Sequence, residues 1–136
     1  MRLESEVGGS WQGAMSSFSE DFPADCPPAD AVDANGQFFR VVKKDPCAEE
    51  DFRTQGELGK AQGACPCLRA GLSVLKDYGS ARHYRDKYPH LGCRIASATL
   101  APAHGKTLSG DKGHVTWWSY DHVIRHSLFL VKEEGS

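Results

Sequence analysis

The chain has 136 residues, of which 40% are hydrophobic and 25% are charged, values ordinary for one globular domain with a single core. The formal net charge of −2 creates no general basic field, so the composition does not support non-specific binding of nucleic acid. Mean hydropathy is −0.48, and no apolar run approaches the roughly 20 residues that a membrane-spanning helix needs. No membrane segment is therefore predicted.

The first residues of the chain carry acidic side chains and lack the apolar run of a secretory signal, which predicts a cytoplasmic protein. Residues 1–36 are rich in glycine, serine and proline and are predicted to be irregular. Trp11, Phe18 and Phe22 are too apolar for a free tail, so this arm is expected to pack on the domain. Residues 37–136 are predicted to form one α+β domain.

A turn at Asn35-Gly36 leads into residues 37–43, an aromatic and β-branched run that predicts the first core strand. Residues 48–60 have acidic side chains near their start and predict a short helix, weakened by two glycines.

Residues 69–100 have the pattern of a strand, a helix and a second strand. Alternating apolar residues up to Leu75 indicate the first strand, and Asp77 or Ser80 is expected to cap the helix that follows. Apolar residues then recur every three to four positions, until Pro89 ends the helical pattern. A second strand is predicted from Ile95 onward.

The last third of the chain is predicted to hold a surface loop at 102–113, a strand at 113–118 and a closing strand at 127–131. A turn or short helix is expected at 120–124. The strand predicted at 113–118 ends in two adjacent tryptophans, Trp117 and Trp118. We interpret this pair as exposed, and exposed aromatic residues of this type often anchor interfaces.

Five cysteines stand at positions 26, 47, 65, 67 and 93. An odd number without an export signal favours reduced thiols over a disulfide framework. Cys65 and Cys67 are separated by one residue, which is tighter than the spacing of zinc knuckles. A structural zinc is therefore unfavoured, and no metal ligands are assigned.

Polar and aromatic side chains on several predicted elements form the candidate site: Arg40, Ser73, Tyr84, His114, Thr116 and Trp117. If the strands are neighbours, the arginine would bind a phosphate, the serine would orient a ribose and an aromatic ring would stack on a base. The histidine would exchange a proton near neutral pH. The structural alternatives are a surface arginine, a satisfied strand serine and aromatic rings in the core.

The segments Gly71-Leu72-Ser73-Val74, Ser80-Ala81-Arg82-His83-Tyr84 and Gly92-Cys93-Arg94-Ile95-Ala96 resemble the central part of the ADP-ribosyltransferase fold. Phe38-Phe39-Arg40-Val41 is similar to the first strand of that family. The resemblance covers roughly residues 37–131. It implies an α+β fold of two small, mostly antiparallel sheets with a few short helices.

The resemblance also implies NAD as the cofactor, held by Arg40, Ser73 and Tyr84, with Thr116 and Trp117 as further candidate contacts. His114 and Arg40 are the candidate catalytic residues. Family members that modify proteins usually carry a glutamate on a late strand, but the matching run here, residues 114–118, contains no acid. The expected activity is ADP-ribosyl transfer or NAD cleavage by an enzyme that lacks this glutamate.

The chain also resembles a group of small bacterial proteins that share Phe38-Phe39-Arg40-Val41-Val42 and the pattern His114-x-Thr116-Trp117-Trp118. No activity follows from this second resemblance. The alternative function is a non-catalytic module that binds a protein partner, in the setting of a toxin–antitoxin or phage-defence system.

Overall fold

The computed structural model describes residues 17–60 and 62–134. The predicted contact of Trp11 lies outside this part of the chain. The strands are β1 (Val32–Asp33), β2 (Gly36–Val42), β3 (Leu72–Leu75), β4 (Arg94–Leu100), β5 (Gly105–Ser109), β6 (His114–Ser119) and β7 (Leu130–Glu134). The α-helices are α1 (Pro66–Ala70) and α2 (Tyr78–Lys87), and single 3₁₀ turns lie at Glu49–Phe52, Pro89–Leu91, Pro102–His104 and Arg125–Leu128.

The seven strands form one sheet in the order β1-β5-β6-β3-β2-β4-β7, and every neighbouring pair is antiparallel. The α+β class is confirmed, whereas the structure has one sheet where two were expected. The ladder between β2 and β3 has a single pair, Phe39 opposite Leu75. In contrast, β2 pairs with β4 over seven residues. The sheet therefore has two parts, β1-β5-β6-β3 and β2-β4-β7, joined by a short seam.

Each face of the sheet carries its own apolar cluster, because side chains alternate along a strand. The larger cluster includes Phe38, Val74 and Trp117, together with Phe52 and Phe129 from outside the strands. The smaller cluster contains Phe39, Leu75 and Ile95 and is covered by helix α2 through Ala81, with Tyr78 and Tyr84 packed beside it.

Helix α2 follows the predicted pattern. Asp77 is its N-cap, and the Asp77 carboxylate accepts a hydrogen bond of 2.6 Å from the backbone N–H of Ser80. Hydrogen bonds from the backbone and the side chain of Ser80 hold the pKa of Asp77 below its usual value. Ala81 is buried, and the helix ends at Lys87, two residues before Pro89. The strand–helix–strand prediction for this region is confirmed.

Two local predictions were wrong, and one short helix was not predicted. The expected loop at 102–113 contains strand β5, in which the polar Thr107 is buried, so hydrophobic alternation gave no signal. The expected helix at 48–60 is one 3₁₀ turn followed by turns. The segment before β3 contains α1, whose five residues include no buried side chain and thus no apolar stripe.

The two tryptophans are buried, which contradicts their interpretation as an exposed pair. Trp117 and Trp118 have 1% and 0% of their surface exposed, because consecutive strand residues point to opposite covered faces. Their indole N–H groups donate to the carbonyl oxygens of His104 at 3.0 Å and Cys67 at 2.8 Å. Both rings stabilise the core.

The described part of the N-terminal arm, from residue 17 onward, contacts the rest of the chain. The Phe18 ring lies 4.7 Å from the Tyr120 ring and 5.3 Å from the Phe22 ring. Residues 32–33 of this arm also form β1, beside β5. A disulfide joins Cys26 to Cys67, across 41 residues of sequence. The expectation of five reduced thiols is therefore wrong for this pair, because sequence spacing did not show that the two cysteines are neighbours in space.

Among the described helices, none has the length and apolar character needed to cross a bilayer. The cytoplasmic location remains a prediction.

We expect replacement of Cys26 and Cys67 by serine to lower the free energy of unfolding by roughly 4 kcal/mol, because the crosslink restricts the unfolded chain over a long loop. Urea denaturation of the oxidised protein and of the double variant measures this difference. Cys65→Ser removes an exposed thiol and serves as the control. Equal midpoints for the oxidised protein and the double variant would contradict the prediction.

Candidate functional site

A cavity of about 430 Å³ lies beside the seam between β2 and β3. Four of the predicted site residues line it: Arg40, Ser73, Tyr84 and His114. Its volume is within the range of small-molecule sites in proteins. These residues come from β2, β3, α2 and β6, so the fold brings together side chains that are far apart in sequence.

Arg40 spans the seam. Its Nε donates to the carbonyl oxygen of Asp51 at 2.7 Å, and its Nη1 donates to the carbonyl oxygen of Ser73 at 2.6 Å. The guanidinium also lies over the ring of Phe52, 5.5 Å from the centroid. Burial lowers the pKa of Arg40 to about 10, and the charge of Asp51 acts in the opposite direction. Arg40 is thus a charged group at neutral pH, and its Nη2 makes no hydrogen bond within the described part of the chain.

Ser73 and His114 are in contact across β3 and β6. The Ser73 Oγ and the His114 Nε2 are 2.8 Å apart, which is hydrogen-bond distance. The register makes this a diagonal contact, because Leu75 is opposite His114 and Ser73 is opposite Thr116. Burial lowers the pKa of His114, so its imidazole is neutral at pH 7. The pair combines a hydroxyl group with a neutral base.

The other two predicted contacts do not line the cavity. Thr116 is buried and lies opposite Ser73. The backbone at Gly71 is so near that a Cβ added to Gly71 would lie 2.4 Å from the methyl group of Thr116. Trp117 packs against Phe129, with ring centroids 6.0 Å apart. The Trp117 ring cannot stack on a ligand, so this prediction is corrected. Tyr84 is the aromatic side chain at the cavity.

The cavity carries more positive charge than the sequence analysis anticipated. Its lining includes five cationic side chains: Arg40, Lys43, Lys44, Arg53 and Lys60. It includes two acidic side chains, Glu50 and Asp51, so with neutral histidines its formal charge is +3. The whole chain has a charge of −2, which means that this positive patch is local. Such a cavity attracts anions.

Both acidic side chains at the cavity have partners. Glu50 accepts a hydrogen bond from Lys44 at 2.9 Å. Asp51 accepts one from the backbone N–H of Lys43 at 3.0 Å and a longer one from Ala48 at 3.4 Å. Neither matches the late-strand glutamate of the resembled family in position, because both lie just after β2.

A second arginine fixes the segment that carries Asp51. Arg125 makes two hydrogen bonds of 2.9 Å to the carboxylate of Glu57, and it also donates to the carbonyl oxygen of Phe52. The hydrogen bonds from Arg125 hold the pKa of Glu57 below its usual value. Phe52 packs against Phe129, with centroids 4.9 Å apart. These contacts keep Phe52 and Asp51 beside Arg40.

Sequence reasoning found Arg40, Ser73, Tyr84 and His114 but missed the cationic rim and Asp51. The charges that follow β2 were visible in the sequence at positions 43, 44 and 53. Their convergence depends on how the chain turns after β2. That turn is fixed by backbone bonds to Asp51, which sequence pattern does not reveal.

Comparison with known proteins found no matching family model, no matching curated protein and no matching solved structure. Within the described ranges, no group of three or more histidine, cysteine or acidic side chains is arranged to hold a metal ion.

We expect His114 to titrate with a pKa below 6.5 in the folded protein, because burial disfavours the imidazolium ion. At pH values between that pKa and 6.5, the unfolded chain binds more protons than the folded protein. The free energy of unfolding therefore increases as the pH rises through this window and decreases as the pH is lowered through it. NMR titration of the His114 ring measures the pKa. The same titration in denaturing urea is the control, and a folded value at or above the unfolded one would contradict the prediction.

Proposed function

We propose that the protein binds a nucleotide in the cavity beside the β2–β3 seam, with NAD as the ligand, and catalyses ADP-ribosyl transfer or NAD cleavage. The observation that carries this proposal is the meeting of Arg40, Ser73, Tyr84 and His114 around one positively charged cavity. The sequence alone predicts all four as site residues. Their convergence supports the resemblance to the ADP-ribosyltransferase fold.

The chemistry of the cavity suits a dinucleotide. NAD carries two phosphates, and the free Nη2 of Arg40 and the exposed Lys43, Arg53 and Lys60 are available to bind them. Tyr84 offers an aromatic surface at the same cavity. The Ser73 hydroxyl and the His114 ring supply hydrogen bonds to a ribose.

The division of the sheet also supports an ADP-ribosyltransferase-like fold. That resemblance implies two small sheets, and here two groups of strands meet at one residue pair. The cavity lies at their junction, which gives a ligand access to residues from both groups.

The alternative of a non-catalytic module rests on three features: the missing late-strand acid, the aromatic-rich N-terminal arm and an exposed tryptophan pair. Both tryptophans are buried, so the third feature no longer supports it. The other two remain. A protein partner, toxin–antitoxin association and a role in phage defence remain predictions.

Isothermal titration calorimetry with NAD tests the proposal. We expect saturable binding that weakens with added salt, because the ligand is an anion and the rim is cationic. Lys60→Gln and Arg53→Gln should each weaken binding several-fold without loss of fold, since both side chains are exposed. Lys132→Gln, an exposed change on β7, is the matched control. Absence of binding heat, or equal affinity in all variants, would count against a nucleotide site.

Arg40 has a structural role and a ligand-binding role, and different variants separate the two. Arg40→Ala removes the bonds across the seam, and we expect a lower melting temperature as well as lost NAD binding. Arg40→Lys keeps the charge but cannot reproduce the planar arrangement of donors. It should retain more stability than Arg40→Ala and bind NAD more weakly than the wild type, as measured by thermal denaturation and calorimetry. Wild-type affinity in Arg40→Ala would remove Arg40 as the phosphate contact.

A further inference from the structure

The pairing of Ser73 with His114 has a chemical consequence apart from NAD binding. Ser73 is exposed at the cavity, and its Oγ lies 2.8 Å from the His114 Nε2. In the tautomer with hydrogen on Nδ1, Nε2 accepts the hydroxyl hydrogen of Ser73. A serine in this relation to a neutral imidazole is an activated nucleophile, because the base removes the proton as the oxygen attacks.

We propose that Ser73 and His114 are a nucleophile–base pair that attacks anionic phosphate esters or anhydrides bound in this cavity. This goes beyond the nucleotide-binding role and does not depend on NAD being the ligand.

The surroundings of the pair favour a phosphoryl substrate. Nη1 of Arg40 is bound to the Ser73 carbonyl oxygen at 2.6 Å, which places the guanidinium beside the serine. Its free Nη2 can bind a phosphoryl oxygen and stabilise the charge that develops there. The cationic lining of the cavity attracts the phosphate.

The two acids at the cavity do not offer a competing nucleophile. Glu50 is in an ion pair with Lys44, and Asp51 accepts hydrogen bonds from two backbone N–H groups. The Ser73 hydroxyl is thus the nucleophilic oxygen in the described cavity lining that has a neutral base beside it.

The reaction balances without an added oxidant or reductant. Ser73 Oγ forms a bond to phosphorus while the bond from phosphorus to the leaving oxygen breaks. The hydroxyl proton moves to His114 Nε2 and then to the leaving oxygen. A water molecule deprotonated by His114 then attacks the phosphoserine, which releases the phosphate product and restores the Ser73 hydroxyl.

Labelling with a fluorophosphonate probe, which phosphonylates activated serines with loss of fluoride, tests the pair. We expect the native wild-type protein to be labelled at Ser73, as located by peptide mass spectrometry, and the protein in denaturing urea to remain unlabelled. His114→Gln should slow labelling by a factor of about 100 or more, the usual contribution of a general base. Ser73→Ala should remove the label from this peptide.

Two exposed changes away from the cavity, His83→Gln on α2 and Ser109→Ala on β5, are the matched controls and should label at the wild-type rate. The absence of native labelling at Ser73 would overturn the proposal, as would an equal labelling rate in His114→Gln. The comparison between native and urea-treated wild-type protein requires no variant, so it holds even if His114→Gln fails to fold. Since labelling is measured without NAD, its result is independent of the calorimetry.

Discussion

One hydrogen bond from the Arg40 guanidinium crosses the seam of this sheet, where the backbone ladder has a single residue pair. Beyond the Phe39–Leu75 pair the ladder between β2 and β3 is absent, and the Arg40 side chain binds the carbonyl oxygen of Ser73 in its place. Its second bond, to the carbonyl oxygen of Asp51, attaches the segment after β2 to the same point. The Arg40 side chain thus connects two strands that share one backbone pair, and the cavity that it lines lies beside their seam.

This arrangement explains how a weakly acidic protein has a strongly cationic site. Two backbone N–H groups bind the Asp51 carboxylate and close the turn after β2. Much of the negative charge near Arg40 is therefore engaged in these hydrogen bonds. The lysines and arginine of the same stretch, at positions 43, 53 and 60, are left exposed at the rim. Burial lowers the pKa of Arg40 to about 10, but this is still well above neutral pH, so the group keeps its charge. The burial of a full charge is tolerated because two carbonyl oxygens and a nearby carboxylate compensate for lost water.

Sequence reasoning succeeded where local chemistry determines structure. Asp77 caps α2, and the aromatic and β-branched run after Gly36 forms the core strand β2, because capping and strand propensity act over a few residues. Four of the six predicted site residues line one cavity, and three of these, Arg40, Ser73 and His114, are polar residues on largely apolar strands. The sequence-based predictions failed where contacts between residues far apart in the chain determine the structure. The indole N–H of the buried Trp118 donates to the carbonyl oxygen of Cys67 in α1, and that same residue is joined to Cys26. Neither contact has a signature in local sequence.

The disulfide bears on the compartment in which the protein is found, and the absent late-strand acid bears on the chemistry of the cavity. A crosslink between Cys26 and Cys67 is more typical of an oxidising compartment than of the cytoplasm, so it opposes the location predicted from the N-terminal residues. The chemistry of the site points in another direction. An ADP-ribosyl transfer without a glutamate needs some other group to stabilise positive charge on the ribose, and a cationic cavity does this poorly. A phosphoryl transfer develops negative charge, which Arg40 and the rim are placed to stabilise. These electrostatics favour the phosphoryl transfer proposed for Ser73 and His114, and in the proposed ADP-ribosyl transfer they act on the phosphates of NAD and not on its ribose.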